Sequence, residues 1–257
     1  MEYLAVCLAA LAASGLTLFS GFGLGTLLMP VFAVFFPVEV AVAQTAAVHF
    51  ANNLFKLALF GRRADRGVLL RFGLPAILAS FAGAALLLWL SHLPPLAVWD
   101  LGGRACAVHP VKLTVAALML LFSLVELWPG RKELAFARKW LPLGGLLSGF
   151  FGGLSGHQGA FRSAFLVRAG LAKEAFIGSG VAIACLVDMT RLAAYADLLD
   201  SPGLRASLPL VGAAALAAFL GAFIGSRLVR KITIRALQLA VAAMLLGLSL
   251  LLGAGVI

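Results

Sequence analysis

No acidic residue lies between Leu134 and Lys173, yet Arg162 sits inside that interval, in the run Gly149–Leu166, GFFGGLSGHQGAFRSAFL. A guanidinium among glycines and apolar side chains needs a partner, because an unpaired charge in a low-dielectric setting is costly. Two partners are open: a distant carboxylate, with Asp188 the obvious one, or a bound anion. The neighbours favour the anion. Ser155, His157 and Gln158 bring hydroxyl, imidazole and amide groups, and Gly156 and Gly159 interrupt the helix beside them. A broken helix frees backbone N–H groups at the start of its second half, where the dipole favours negative charge. The planar fork of arginine suits sulfonate, sulfite or carboxylate oxygens. The expected chemistry is therefore oxyanion binding, with Ser155, His157, Gln158 and Arg162 as substrate contacts.

Two further segments carry polar residues at helical spacing. The segment 39–60 has Gln44, Thr45, His49, Asn52, Asn53 and Lys56, and positions 45, 49, 52 and 56 form one face. The segment 175–196 has Ser179, Asp188, Arg191 and Tyr195, with 188, 191 and 195 on one face. Single polar residues in a membrane helix serve as interhelical glue worth about 0.6 kcal/mol each. A whole stripe points instead to a cavity or pathway. Gln44, His49, Asn52 and Asn53 are accordingly expected at the substrate, and Lys56, Asp188, Arg191 and Tyr195 along the pathway or its gates. Lys56 and Arg191 have alternatives: each could snorkel to an interface, and Asp188 and Arg191 at i, i+3 could neutralise each other. His49 and His157 are candidates for proton coupling, since histidine titrates near neutral pH.

The elements that position these residues follow from composition. The 257-residue chain is 63% hydrophobic and 12% charged, with mean hydropathy +1.07, which is a lipid-soluble composition. Residues 3–38 hold no charge, and 72–99, 140–161, 206–226 and 236–257 are equally free of it. Shorter apolar runs at 40–55, 113–125 and 175–187 bring the hydrophobic regions to about eight. Glu2 is the only early charge and the first apolar run is too long, so a cleaved signal peptide is not expected.

Basic residues in short links mark the cytoplasmic side. The links 61–71, 129–139 and 227–235 carry +3, +3 and +4, whereas 92–109 is balanced and 197–205 holds two acids against one arginine. The net charge of +10 therefore reads as topology and lipid-headgroup contact, with no nucleic-acid partner. With the basic links cytoplasmic, 69–91, 111–128, 205–226 and 234–256 alternate as crossings. The segment 140–170 must enter and return, and 3–36 is too long for one span. Both read as broken hairpins, with Gly21, Gly23, Gly25 and Pro30 breaking the first and Gly156 and Gly159 the second. Six full crossings complete the count, and both termini fall outside.

The halves also match each other. At a shift of 134, Ser14-Gly15 falls on Ser148-Gly149 and Gly25 on Gly159; at 135, Asn53, Lys56 and Phe60 fall on Asp188, Arg191 and Tyr195. Each half is a hairpin, a striped helix and two plain helices, and three crossings per half make the second inverted. The organisation expected is an all-α integral membrane protein of two inverted repeats, 1–128 and 140–257, joined by a basic link at 129–139. Inverted repeats with Gly- or Pro-interrupted segments are the mark of secondary transporters.

Ser20-Gly21-Phe22-Gly23-Leu24-Gly25 followed by Pro30, Ser148-Gly149-Phe150-Phe151-Gly152-Gly153, and Asp188-x-x-Arg191-x-x-x-Tyr195 resemble the TauE/SafE family of sulfite and organosulfonate exporters over nearly the whole chain. The resemblance implies an inner-membrane carrier of small sulfur-containing anions. The second hairpin departs from it, with Gly156-His157-Gln158-Gly159-Ala160-Phe161-Arg162 and no proline before Lys173. Competing functions are an anion channel, a membrane subunit of a larger complex or an intramembrane enzyme. The last lacks any HExxH, Walker or Gly-x-Ser-x-Gly motif. Cys7, Cys106 and Cys185 are too far apart for a metal motif or disulfide framework, and no cofactor is expected. The expected partners are a small anion and membrane lipids; a homodimer is one arrangement such a chain can take.

Overall fold

A computed structural model describes residues 1–20, 24–128, 136–199, 202–228 and 234–257. The helices are α1 (Glu2–Ser20), α2 (Leu24–Ala33), α3 (Val38–Phe60), α4 (Arg66–Val68), α5 (Leu74–Ser91), α6 (Pro110–Leu127), α7 (Leu141–Ser155), α8 (Gly159–Leu166), α9 (Lys173–Ala194), α10 (Ala196–Leu199), α11 (Pro202–Leu228) and α12 (Ile234–Gly253). A single π-helical turn, Leu69–Gly73, joins α4 to α5. The protein is an all-α membrane fold. Arg66–Ser91, Lys173–Ala194 and Gly203–Ile224 are long and apolar enough to cross a bilayer. Leu78, Leu216 and Leu250 face outward and are about two-thirds exposed, as a lipid solvent requires. Trp89, Trp128 and Trp140 are exposed close to helix ends, where amphipathic rings suit the headgroup level.

Both broken segments return to the side they came from. Phe136, ahead of α7, donates its backbone N–H to the Ala164 carbonyl of α8 at 3.4 Å, and its ring stacks on Phe165. In the first half, Glu2 and Tyr3 of α1 line one pocket with Phe36, which follows α2. In the second hairpin α8 is too short to cross: its eight residues rise roughly 12 Å, against a hydrocarbon core of about 30 Å.

The two hairpins enter from opposite ends of α3. The first shares its pocket with Gly203 and Ser207, both in the first turns of α11, at the end where α3 begins. The second lies at the end where α3 finishes, because Asp65 beyond α3 bonds Ser179 of α9 through its backbone N–H at 2.8 Å and pairs with Arg138 at 3.6 Å. Arg63 pairs with Glu174 at the same end, at 3.0 Å. Link 61–71, residues 136–140 and the start of α9 thus share one side, and both termini share the other. Trp99 Nε1 donates to the Ala254 carbonyl at 2.8 Å, which ties the C-terminal end to the 92–109 connection.

Packing is reciprocal between the halves. The most extensive helix contacts join α5 to α7 and α1 to α11, so each hairpin packs on a plain helix of the other half. Then α6 meets α12 and α3 meets α9. Glycine makes the α5–α7 contact close. Gly145, Gly149 and Gly153 lie one turn apart, and a β-carbon on them would fall 2.1–2.2 Å from the carbonyl oxygens of Phe72, Ala76 and Ser80. Helices in lipid associate through such close backbone approach.

Three expectations need correction. Pro30 does not break the first hairpin: it lies inside α2, where its ring only removes the bond to Thr26. Gly25 is also helical, and Gly21 and Gly23 lie outside the described residues. In the second hairpin the break is Gly156, whose φ of +81° is left-handed, and Gly159 opens α8. The 92–109 connection, expected as a plain link, contains a two-stranded hairpin, β1 (Ala97–Leu101) and β2 (Arg104–Val108). Gly102-Gly103 between alternating residues carries that signal, since both take φ > 0 in a tight turn. Within the basic links, Arg131, Lys132, Glu133, Arg230 and Lys231 lie outside the described residues, as does Asp200.

Candidate anion site

The hairpin tips meet beside the two striped helices. A β-carbon on Gly25 would sit 3.1 Å from the Gly156 carbonyl oxygen and 3.6 Å from the Thr45 side chain. A β-carbon on Gly156 would in turn lie 3.1 Å from Arg191 Nη1. The two tips, α3 and α9 therefore converge within one layer of side chains.

Asp188 is the hub of that layer and is fully buried. Its Oδ2 lies 2.6 Å from His49 Nδ1 and accepts from Asn53 Nδ2 at 3.3 Å. An ionised carboxylate only accepts, so Nδ1 of His49 carries the proton. Its Oδ1 accepts from Gln158 Nε2 at 2.9 Å and Arg191 Nε at 3.1 Å. Arg191 Nη2 lies 2.9 Å from the same oxygen as an ion pair, without hydrogen-bond alignment. Arg191 also donates from Nη1 to the Gly152 carbonyl at 3.1 Å, and the Tyr195 hydroxyl donates to the Gly153 carbonyl. The i, i+3 neutralisation of Arg191 by Asp188 is thus the one that forms, and no snorkelling occurs.

Arg162 is outside this pair. It is half-buried and forms no ion pair with any carboxylate among the described residues. Its Nη1 donates to Gln158 Oε1 at 3.2 Å, and the opposite end of that amide reaches Asp188. The alternative, a direct pairing of Arg162 with Asp188, does not form; a one-residue bridge through Gln158 stands in its place. The bridge is held in place by Ser148 Oγ, which donates to the Gln158 carbonyl at 2.9 Å. Lys56, also half-buried, lies one turn beyond Asn53 on α3. The layer can thus present the Arg162 guanidinium to an anion while its single carboxylate is engaged elsewhere.

Residues 6–252 match the family model described as "Sulfite exporter TauE/SafE". The chain belongs to the TauE/SafE family. No curated protein and no solved structure matches it. As a TauE/SafE protein it is a membrane transporter of the class that handles sulfur-related anions, and not an enzyme.

The remaining expected residues are distributed around the hub. Gln44 Nε2 donates to Ser207 Oγ of α11 at 2.8 Å, and its buried Oε1 lacks a partner. Asn52 accepts from Ser14 Oγ of α1 at 3.4 Å, with a buried Nδ2 unpartnered. These two serve interhelical bonding at least as much as a pathway. Ser155 Oγ donates to the Phe151 carbonyl at 3.1 Å, so it is turned back on its own helix. His157 Nδ1 lies 3.0 Å from the Ser155 carbonyl and therefore carries the proton; its Nε2 is buried without a partner. In the neutral ring that nitrogen accepts, which suits a ligand's hydrogen better than an anionic oxygen. The imidazole stacks on Phe122 of α6, with centroids 4.9 Å apart. Ser207 and Phe122 were not singled out by sequence, and Ser14 only in the repeat match, since a lone serine or phenylalanine in a span carries no periodic signal. No cluster of His, Cys, Asp or Glu that could hold a metal ion occurs among the described residues.

Proposed function

We propose that this TauE/SafE protein is a secondary carrier of a sulfur oxyanion or organosulfonate, such as sulfite, thiosulfate or sulfoacetate, or of a related carboxylate. The carrying observation is the division of labour among cations: Asp188 is taken by Arg191, His49, Asn53 and Gln158, and Arg162 has no carboxylate. An unneutralised guanidinium at membrane depth calls for an anion. Arg162 binds that anion, Gln158 reports its arrival to Asp188 by losing or keeping the Arg162 bond, and the halves 1–128 and 140–257 rock about the touching tips as inverted repeats do. The basic links 61–71, 129–139 and 227–235 face the cytoplasm across the inner membrane, and both termini face outward.

The test is thermal stabilisation of the purified protein by sulfite, thiosulfate, sulfate, sulfoacetate, taurine, acetate and lactate, followed by counterflow in proteoliposomes. A ligand that binds only the folded state raises stability as RT ln(1 + [L]/Kd). A sulfur oxyanion is expected to stabilise the protein and to show saturable counterflow, which a channel lacks. Arg162→Ala is expected to insert and accumulate normally while losing both effects. Normal transport by Arg162→Ala overturns the site.

A further inference from the structure

Two hydrogen bonds tie one half of the chain to the other at opposite ends of the bundle. At the end where α3 begins, Gln44 Nε2 donates to Ser207 Oγ in the second turn of α11, at 2.8 Å. The Ser207 hydroxyl hydrogen goes to the Leu204 carbonyl of its own helix, which leaves the oxygen as an acceptor for the amide. At the end where α3 finishes, the Asp65 backbone N–H, just ahead of α4, donates to Ser179 Oγ of α9 at 2.8 Å.

These bonds are counterparts under the internal repeat. At the shift of 135 that sets Asn53 on Asp188, Gln44 falls on Ser179. Asn53 and Asp188 touch each other where the antiparallel helices α3 and α9 meet. Gln44 and Ser179 each lie nine positions earlier on their helix, roughly 13 Å away on opposite sides of that contact. Each then joins its striped helix to the start of the first plain helix of the other half, α11 in one case and the α4–α5 segment in the other. A cavity of about 150 Å³ opens at the first of these ends, with Ser207 in its wall beside Glu2, Tyr3 and Phe36. Behind that wall Gln44 is fully buried, and its Oε1 has no partner. Separating the pair lets water from the cavity reach this oxygen, which offsets the lost bond.

We infer that the two bonds are the gates of the carrier: Gln44–Ser207 closes the layer on the side of the cavity, Ser179–Asp65 closes it on the other, and transport breaks them in alternation. Gln44, Ser207 and Ser179 are thereby gating residues. Both bonds run between the halves, so rocking one half on the other separates the groups at one end while holding them together at the other. The inference rests on the carrier reading above and adds the residues that close each side; on the topology proposed there, Gln44–Ser207 is the outer gate.

Cysteine accessibility tests this without any substrate. In the full-length protein Cys7, Cys106 and Cys185 are replaced by alanine, and one reporter cysteine is placed a single position inside either gate, at Thr45 or at its repeat counterpart Gly180. A β-carbon on Gly180 meets Arg162 Nε at 3.7 Å and Leu166 at 4.0 Å, which are ordinary contacts. Thr45→Cys is labelled from the cavity side and Gly180→Cys from the other, with a membrane-impermeant quaternary-ammonium methanethiosulfonate on right-side-out and inside-out vesicles. Ser207→Ala is expected to speed labelling at Thr45→Cys about threefold or more and to slow it by a similar factor at Gly180→Cys. Ser179→Ala, the same chemical deletion, should do the reverse. The far reporter decides, because local loosening raises only the near one. Gln44→Met and Ser179→Gly replace the serine variants if either fails to accumulate. Unchanged labelling at the far reporter, or changes of one sign at both, overturns the inference; with saturable sulfite counterflow in the wild type, it overturns the gates alone. Absence of counterflow with every anion of the panel above fails the carrier reading and the inference with it.

Discussion

Helices α3 and α9 lie against each other in opposite directions, and each carries a cation at a matching place in its half. They use it differently. Arg191 of α9 is fully buried and locked by Asp188 and the Gly152 carbonyl, and one turn on Tyr195 is tied to the Gly153 carbonyl. Lys56 of α3 is half-buried, is preceded by an asparagine, and is followed one turn on by Phe60, which has no hydroxyl to tie. One cation is part of the scaffold and the other forms no ion pair among the described residues. A charge in a membrane helix is therefore not a site by virtue of being there. It becomes one when the residue that could neutralise it is spent on something else.

That contrast breaks most visibly at Asp188. Asp188→Ala leaves Arg191 buried without its carboxylate and removes an acceptor from His49, Asn53 and Gln158. The expected loss is about 3–5 kcal/mol, read as a large drop in melting temperature in detergent. A melt close to wild type would show that the pair is no scaffold. Moving the carboxylate sharpens the comparison: Asn53→Asp combined with Asp188→Asn keeps one acid in the layer but gives it to the α3 cation. We expect the double variant to recover about half of the Asp188→Ala loss. Tyr195→Phe makes α9 like α3 at that position and removes one buried hydrogen bond, an expected cost of about 1 kcal/mol, visible as a small melting shift with transport retained. Lys56→Met is the smallest perturbation of the fold. It should change stability by less than about 0.5 kcal/mol, whereas a loss comparable to Asp188→Ala would make Lys56 structural.

Much of this architecture was legible in the chain. A helix over 39–60 with polar groups at 45, 49, 52 and 56 was expected and found as α3, and a chain segment that enters and returns was expected from charge alternation around 140–170 and found as α7 and α8. The basic links were expected on one side, and the contacts Arg63–Glu174 and Asp65–Arg138 gather the described parts of two of them at one end. What was missed is local or long-range. The Gly102-Gly103 hairpin hid in a link read only for its charge. Pro30 reads as a breaker in sequence, yet a helix held on all sides by packing tolerates it.

The sequence by itself determined that the protein lives in lipid, which segments cross or return, and which faces are polar. Those facts follow from hydropathy, helical period and loop charge, each of which is set within twenty or so residues of chain. Only the tertiary structure decided which of three cations holds the one carboxylate. That choice turns on contacts of 2.9–3.3 Å between residues from α3, the second hairpin and α9. Asp188 and Asn53 are 135 positions apart. No local pattern encodes such a contact, because a hydrogen bond is selective over tenths of an ångström while helical period specifies only a face.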